Sequence, residues 1–453
     1  IYIWEDDYRL IQVSFVPAAD IPAQRQRVTV AVTGSHDMLD MAIAEFNRHN
    51  AYYEAEVVDY DYFEGCQKLE TELATGKAPD LLDTQLCYMD KLVEKGLLAD
   101  ISPYLEDGRG IERQDLVEAV LRCNTIDGVL TCIPESFGLE VLVGKPQLLG
   151  DEPGWTLAEY MSCIQENAGL EVMGSNRFSD DSNQSGHAIL DLPMYGDITH
   201  WADYRQGEAH FDREDFLALL ELAGSYEVTQ PAVDLHAREE LQAGRMLTYV
   251  TALYKMEDYL LLNEIMQQEI VYKGYPAEDG NPVYSLVGRE GFAINAHSQV
   301  RDGAWALIEF LLTYQFSDQL SEERSKVFTV QCFSVLESQF DYQMAQSAVK
   351  EYQRNSNFDL VYDETGKPIE KAKYTWYDTN GSVKAECPAA TPEDVESLRM
   401  LIDMASQPSD TSNNNLFQIL YEETSAYLED QRGAQETADI IQSRVQLFLD
   451  ENK

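Results

Sequence analysis

From Arg27 onward the apolar positions alternate between two spacings. Val28-Thr29-Val30-Ala31-Val32 is a short apolar run closed by the polar turn Thr33-Gly34-Ser35-His36-Asp37, which predicts a buried strand. Leu39, Ala42, Ile43 and Phe46 then recur at helical spacing, with Asp37 as the expected N-cap. Ala55 to Val58 predicts a second strand, and Leu69 and Leu73 belong to a second helix. Gly76 to Asp83 reads as a turn into a third strand, and Leu92, Val93, Leu97 and Leu98 fit another helix. Strands alternating with helices imply a mainly parallel sheet covered on both faces, an α/β architecture.

The pattern continues beyond residue 116. Leu116 to Leu121 predicts a helix, and Asp127-Gly128 is a turn signal followed by a strand whose ladder Pro134 is expected to end. Thr156 and Glu159 have the spacing of a capping box. Phe211 to Ala223 predicts a helix and Gly244 to Val250 a strand. The turn-rich stretch Tyr272 to Gly280 leads to a strand at Leu286 to Asn295 and an amphipathic helix at Ala304 to Thr313. Near the end, Ala438, Ile441, Val445 and Phe448 share one helix face. Residues 1–26 read as a linker with an edge strand.

Length and composition narrow the class. A chain of 453 residues is long for one domain, and 44% apolar residues supply real cores. No run approaches the roughly 18 apolar residues of a membrane span. The formal net charge of −47, from 33 Lys and Arg against 80 Asp and Glu, disfavours nucleic acid and anionic membranes as partners. The seven cysteines are widely spaced and form no C-x-x-C pair, so scattered core thiols are expected, suited to a reducing setting. Cys123 and Cys132 are close enough in sequence to meet across a short turn.

Catalytic and metal signatures are few. His-Glu-x-x-His, Gly-x-Ser-x-Gly and the P-loop pattern are absent, and Gly108-Arg109-Gly110 lacks the third glycine of a dinucleotide fingerprint. Asp181 to Gly186 imitates the start of a calcium loop, but the twelfth position is Leu192, where a bidentate Glu is needed. No cofactor and no metal are expected. Eighty carboxylates leave a glycoside hydrolase as the rival from another class.

Several segments, taken in order, resemble extracellular solute-binding proteins of the maltose-binding type, the capture subunits of bacterial ABC importers. They are Phe46 to Asn50, Thr75 to Asp80, Leu98 to Tyr104, Asp127 to Pro134, Gly244 to Tyr254, Leu286 to Thr313 and Glu436 to Leu449. The resemblance covers about residues 27–453. It implies a type II, two-lobed periplasmic-binding-protein-like fold with a hinge between the lobes. Residues 27–134 plus 287–330 would form the first lobe, and 137–284 plus 331–453 the second. It implies no enzymatic activity, a monomer, capture of a carbohydrate by hinge closure, and delivery to permease subunits. It also implies a cell-surface lipoprotein whose signal segment and anchor precede Ile1. A peptide or a polyamine is the alternative ligand.

The loops at the carboxyl ends of parallel strands would face the crevice. They carry His36, Asp37, Asp61, Tyr62, Thr84 and Gln85. The first crossover adds Glu135, Ser136 and Phe137. The far lobe offers Trp201, Tyr249, Thr251 and Tyr254, and the return strand Glu290. Carboxylates, amides and hydroxyls bond sugar hydroxyl groups, while aromatic rings cover C–H faces.

Overall fold

The strand Gln26–Thr33 buries Val28, Val30 and Val32 on one face and Ala31 on the other, so it needs cover on both sides. Helix Asp37–His49 supplies one cover through Leu39, Ala42, Ile43 and Phe46, and Leu69, Leu73 and Leu92 supply the other. These relations come from a computed structural model that describes residues 2–4, 10–12, 24–34, 36–61, 65–86, 89–175, 185–204, 206–229, 237–313, 332–377, 381–408 and 414–451. Gln26–Thr33 pairs in parallel with Tyr53–Tyr60 and with Leu81–Asp83, as the alternation predicts.

Two long strands run out of this half of the molecule. Pro134–Gly144 and Ser285–Ile294 lie antiparallel, from Pro134 opposite Gly291 to Glu140 opposite Ser285. Each exchanges neighbours along its length. The end of Ser285–Ile294 pairs with Leu81–Asp83, while the far part of Pro134–Gly144 pairs with Met246–Leu253. Met246–Leu253 pairs in parallel with Glu171–Ser175. The result is two α/β lobes, each with parallel strands inside and antiparallel crossover strands at the border. Pro134 opens the hinge strand rather than ending the ladder before it. As the first residue, it needs no ladder N–H.

The second lobe builds its core from Trp155, Tyr160, Ile189, Leu192, Trp201, Phe211 and Phe216. The C-terminal helices Asn414–Leu428 and Ala434–Glu451 close over it. Ala438, Ile441, Val445 and Leu449 form the buried seam, and Phe448 is only partly covered, against Tyr204. The expected capping box is present: Thr156 Oγ1 accepts from Glu159 N at 3.2 Å and Thr156 N donates to Glu159 Oε2 at 2.8 Å. Helix Pro392–Asp403 packs on Glu118–Cys123 and on Met256–Ile265, so it bridges elements of both lobes. Residues Tyr2–Trp4 and Leu10–Gln12 pair with each other, a hairpin instead of an edge strand.

Smaller differences have local causes. His36, not Asp37, is the N-cap of the first helix; Asp37 is its first residue, and the His36 side chain makes no capping bond to the helix N–H groups. Leu97 and Leu98 follow helix Met89–Glu94, and Leu98 bridges to Asn295 instead. Cys123 and Cys132 are both buried free thiols, with Cys132 Sγ 3.3 Å from Asn124 Oδ1. Cys87 and most of the calcium-like run lie outside the described residues.

One carboxylate ties three separated segments. Asp80 Oδ2 accepts from Thr29 N at 2.9 Å and Thr29 Oγ1 at 2.7 Å, and Asp80 Oδ1 accepts from Ser298 Oγ at 2.7 Å. Replacing Asp80 by Ala leaves these donors unpaired, and the expected loss is about 1–3 kcal/mol in denaturant unfolding; an unchanged midpoint would refute this role. Asp191 keeps a partly exposed residue surface, yet protein surrounds its carboxyl, and burial alone pushes its pKa up to about 7. The carboxyl stays neutral in the fold where it ionises in the unfolded chain. Its contribution to stability is therefore complete below about pH 4 and is lost as pH rises through about 7. Thermal melts across that window are expected to show a shallower decline for Asp191→Asn than for the parent. Parallel profiles would count against it.

Candidate functional site

The carboxyl ends of the first-lobe strands form one edge of the sheet. Thr33 pairs with Tyr60, Ala31 with Leu82, and Asp83 with Phe292, while Gly291 pairs with Pro134. The loops that follow these strands are therefore neighbours along that edge. In the second lobe Leu253 pairs with Leu139, so the end of strand Met246–Leu253 faces the same stretch of hinge. About 16 Å of hinge strand separates the two ends, at the usual rise per residue.

His36 occupies the first loop. Its Nε2 lies 2.6 Å from Asp59 Oδ1 and its Nδ1 3.1 Å from Asp40 Oδ2. The hydrogen bond to Asp59 raises its pKa; desolvation opposes this, and the charges of Asp40 and Asp59 add to the rise. Asp59 and Asp40 were not among the expected site residues. The i, i+4 spacing from His36 to Asp40 is a signal that could have found one of them. Asp59 is the penultimate residue of the second strand, and Asp61, just past its end, is exposed.

Thr84 and Gln85 follow the third strand. Thr84 N donates to Gly291 O at 2.9 Å, and Gln85 N donates to Asp83 Oδ1 at 2.9 Å. A Cβ on Gly291 would sit 3.2 Å from Thr84 Oγ1 and 3.5 Å from Cys132 Sγ, so the close approach here suits glycine. Glu135 and Ser136 are half-buried at the start of the hinge strand, and Ser136 pairs with both Arg289 and Ser334. These residues, with His36 and Asp61, are brought together along one edge.

Tyr254 meets the hinge from the other side. A Cβ on Gly138 would fall 2.4 Å from Tyr254 Cδ1, so the ring lies directly on the hinge backbone. Asp258 holds this turn, accepting from Tyr254 N at 2.8 Å and Lys255 N at 3.2 Å. Lys255 Nζ pairs with Glu257 Oε2 at 2.7 Å. Lys255 was not among the expected residues, and its position after an aromatic strand end carries no sequence signal of its own.

Four expected residues lie in the cores instead. Phe137 is fully buried, its ring centroid 5.5 Å from Phe333 and 6.1 Å from Phe340. Trp201 is 1% exposed, packed with Phe211 and Phe216. Tyr249 is 2% exposed, with Arg238 over its ring, and Thr251, on the same face of the strand, is equally buried. Strand periodicity explains the pair: positions 249, 251 and 253 all turn inward under helix Met256–Ile265. Asp37 begins the first helix and Glu290 lies within the return strand. Tyr62 lies outside the described residues.

Two cavities of about 630 and 640 Å³ lie elsewhere, one lined by Arg113, Phe340 and Arg399 and the other by Phe46, Glu309 and Phe310. Neither includes a residue of the hinge edge.

Comparison with known proteins agrees with this geometry. A family model described as bacterial extracellular solute-binding protein matches residues 41–319, more than half of the chain. The sugar-binding protein MalE from the phytopathogen Xanthomonas citri is similar in structure, with a TM-score of 0.53 at 15% identity over 94% of this chain and 98% of that one. An ABC transporter solute-binding protein from Agrobacterium radiobacter K84, in complex with ribitol, gives a TM-score of 0.51 at 14% identity over 94% of this chain and 100% of that one. Identities this low speak to the two-lobed fold alone. The family match speaks to the class: this chain belongs to the bacterial extracellular solute-binding proteins.

Proposed function

We propose that this protein is the substrate-binding component of an ABC transporter. It captures a carbohydrate by hinge closure and delivers it to a membrane permease. The observation that carries the reading is the opposition of two strand-end surfaces across the shared hinge strands. Rotation about those strands changes the gap while leaving both cores intact. The lobes are proposed as 27–134 plus 287–330, and 137–284 plus the C-terminal helices, with Pro392–Asp403 lying across the border. As an extracellular protein of this class it is proposed to be a monomeric lipoprotein.

The proposed ligand shell is His36, Asp37, Asp61, Tyr62, Thr84, Gln85, Glu135, Ser136, Tyr254 and Glu290. Its carboxylates, amide and hydroxyls match the hydroxyl groups of a sugar, and Tyr254 supplies the aromatic face. The Xanthomonas protein is described as sugar-binding and the Agrobacterium protein holds ribitol, which supports a polyhydroxylated ligand. The carboxylates at the edge also suit a cation, so a polyamine is the control ligand.

A thermal-shift screen against mono- and oligosaccharides, with spermidine beside them, tests the ligand class. One sugar is expected to raise the melting temperature and to be recovered intact. Release of reducing ends would identify a hydrolase, and a response to spermidine alone would replace the sugar. Tyr254→Ala is expected to weaken the sugar by about 1–3 kcal/mol in calorimetry, the range for a packed aromatic anchor. Unchanged affinity would remove Tyr254 from the shell. Solution scattering with saturating ligand is expected to show a smaller radius of gyration; an unaltered profile would rule out closure.

A further inference from the structure

A second cluster of ligating groups lies on the second lobe, apart from the hinge edge. Asp197, His200 and Glu278 each offer one ligand atom, and these atoms lie within 4.8 Å of one another. Two segments meet here. Asp197 joins helix Ser185–Gly196 to helix Ile198–Trp201, which carries His200, and Glu278 lies in the turn that leads to the return strand.

The arrangement around His200 is directional. Its Nε2 lies 2.9 Å from Asp215 Oδ2, and the other oxygen of Asp215 accepts from Phe216 N at 2.8 Å. A carboxylate on Nε2 fixes that nitrogen as the donor and leaves the Nδ1 lone pair facing the cluster. Metal-binding histidines are held in this way by outer carboxylates. Nδ1 lies 3.5 Å from Glu278 Oε2. Ligands on a tetrahedral zinc ion, at 2.0–2.2 Å each, stand about 3.3 Å apart. Asp197 Oδ1 is used locally, accepting from Thr199 Oγ1 at 2.7 Å and His200 N at 3.2 Å. These bonds orient its carboxyl beside the ring. Arg213 Nη1 donates to the His200 carbonyl at 3.4 Å. His200 itself packs edge-on against Trp201 and keeps only 15% of its side chain exposed.

We propose that Asp197, His200 and Glu278 bind one divalent transition-metal cation of the zinc type, with Asp215 as the residue that positions His200. One imidazole and two carboxylates suit Zn²⁺ better than Ca²⁺ or Mg²⁺, which favour all-oxygen shells. A solvent molecule would complete four-coordination. The ion ties the turn before the return strand to the two helices and, through Asp215, to helix Glu214–Ser225. It is a structural staple within the second lobe and takes no part in the proposed hinge motion.

The test is calorimetric titration of the chelator-treated, intact chain with Zn²⁺, read beside its melting temperature. The parent is expected to bind one equivalent at micromolar or tighter affinity that is lost in His200→Ala. Because His200 also packs on Trp201, Glu278→Gln is the second variant; its side chain is 76% exposed, so folding is not at issue. It is expected to weaken that equivalent at least tenfold. Asp215→Asn is expected to weaken it about 10- to 100-fold while one equivalent still binds, as for loss of an outer-shell partner. His36→Ala is expected to leave it unchanged, which separates this site from the other His–carboxylate group. Absence of zinc binding by the parent, or parental affinity in both His200→Ala and Glu278→Gln, would overturn the assignment.

Discussion

The antiparallel ladder between Pro134–Gly144 and Ser285–Ile294 is the constraint on which the rest of the structure depends. The two are adjacent strands at the centre of one continuous sheet, where Ser285–Ile294 also pairs with first-lobe strand Leu81–Asp83 and Pro134–Gly144 with second-lobe strand Met246–Leu253. Backbone hydrogen bonds must be satisfied along the whole length, so the lobes cannot separate without breaking a ladder. They can bend, because a strand pair is narrow where no third strand covers it. Phe333–Ser334 joins the hinge only at Phe137 and Ser136. Closure and integrity are therefore properties of the same two strands.

Polar contacts then fix where each strand may bend. On the first-lobe side, Asn295 Nδ2 donates to Pro79 O at 3.0 Å beside the Asp80 cluster, so the end of the return strand is held to the sheet. On the second-lobe side, buried Glu140 accepts from Tyr275 Oη at 3.0 Å. Gln407 Nε2 donates to Ser285 Oγ at 3.2 Å and to Tyr195 O at 2.7 Å. Buried polar groups are costly unless paired, and their partners are specific in direction. The two ends of the hinge are thus the parts held most firmly.

The acidity of the chain has a different place in the structure. Two of the buried carboxylates are paired with cations, Glu240 with Arg245 at 2.6 Å and Glu423 with Arg432 and Arg444. At the hinge edge Asp40 and Asp59 converge on His36, and at the second-lobe cluster three carboxylates surround His200. A surplus of negative charge concentrated on two imidazoles is a local arrangement that the net charge of −47 does not disclose.

Local structure was legible wherever the cause is local. Helical spacing located Leu39 to Phe46, the capping box located Thr156, and Asp127-Gly128 forms its turn with φ of 52° and 81° between two short paired strands. Strand and helix alternation implied a mainly parallel sheet, and the resemblance carried by the ordered segments implied two lobes with crossovers near Pro134 and Leu286. Residue type alone was not enough to choose ligand residues. Phe137, Trp201 and Tyr249 carry the chemistry of a sugar platform, yet each is in a core, because whether a strand or helix face is covered depends on which elements pack against it. Tyr254 differs from Tyr249 only in standing one step past the strand end, where Gly138 leaves room for its ring. Asp197 and His200 are neighbours within one turn, but Glu278 lies far from both in the chain, so only tertiary packing could add it to the cluster.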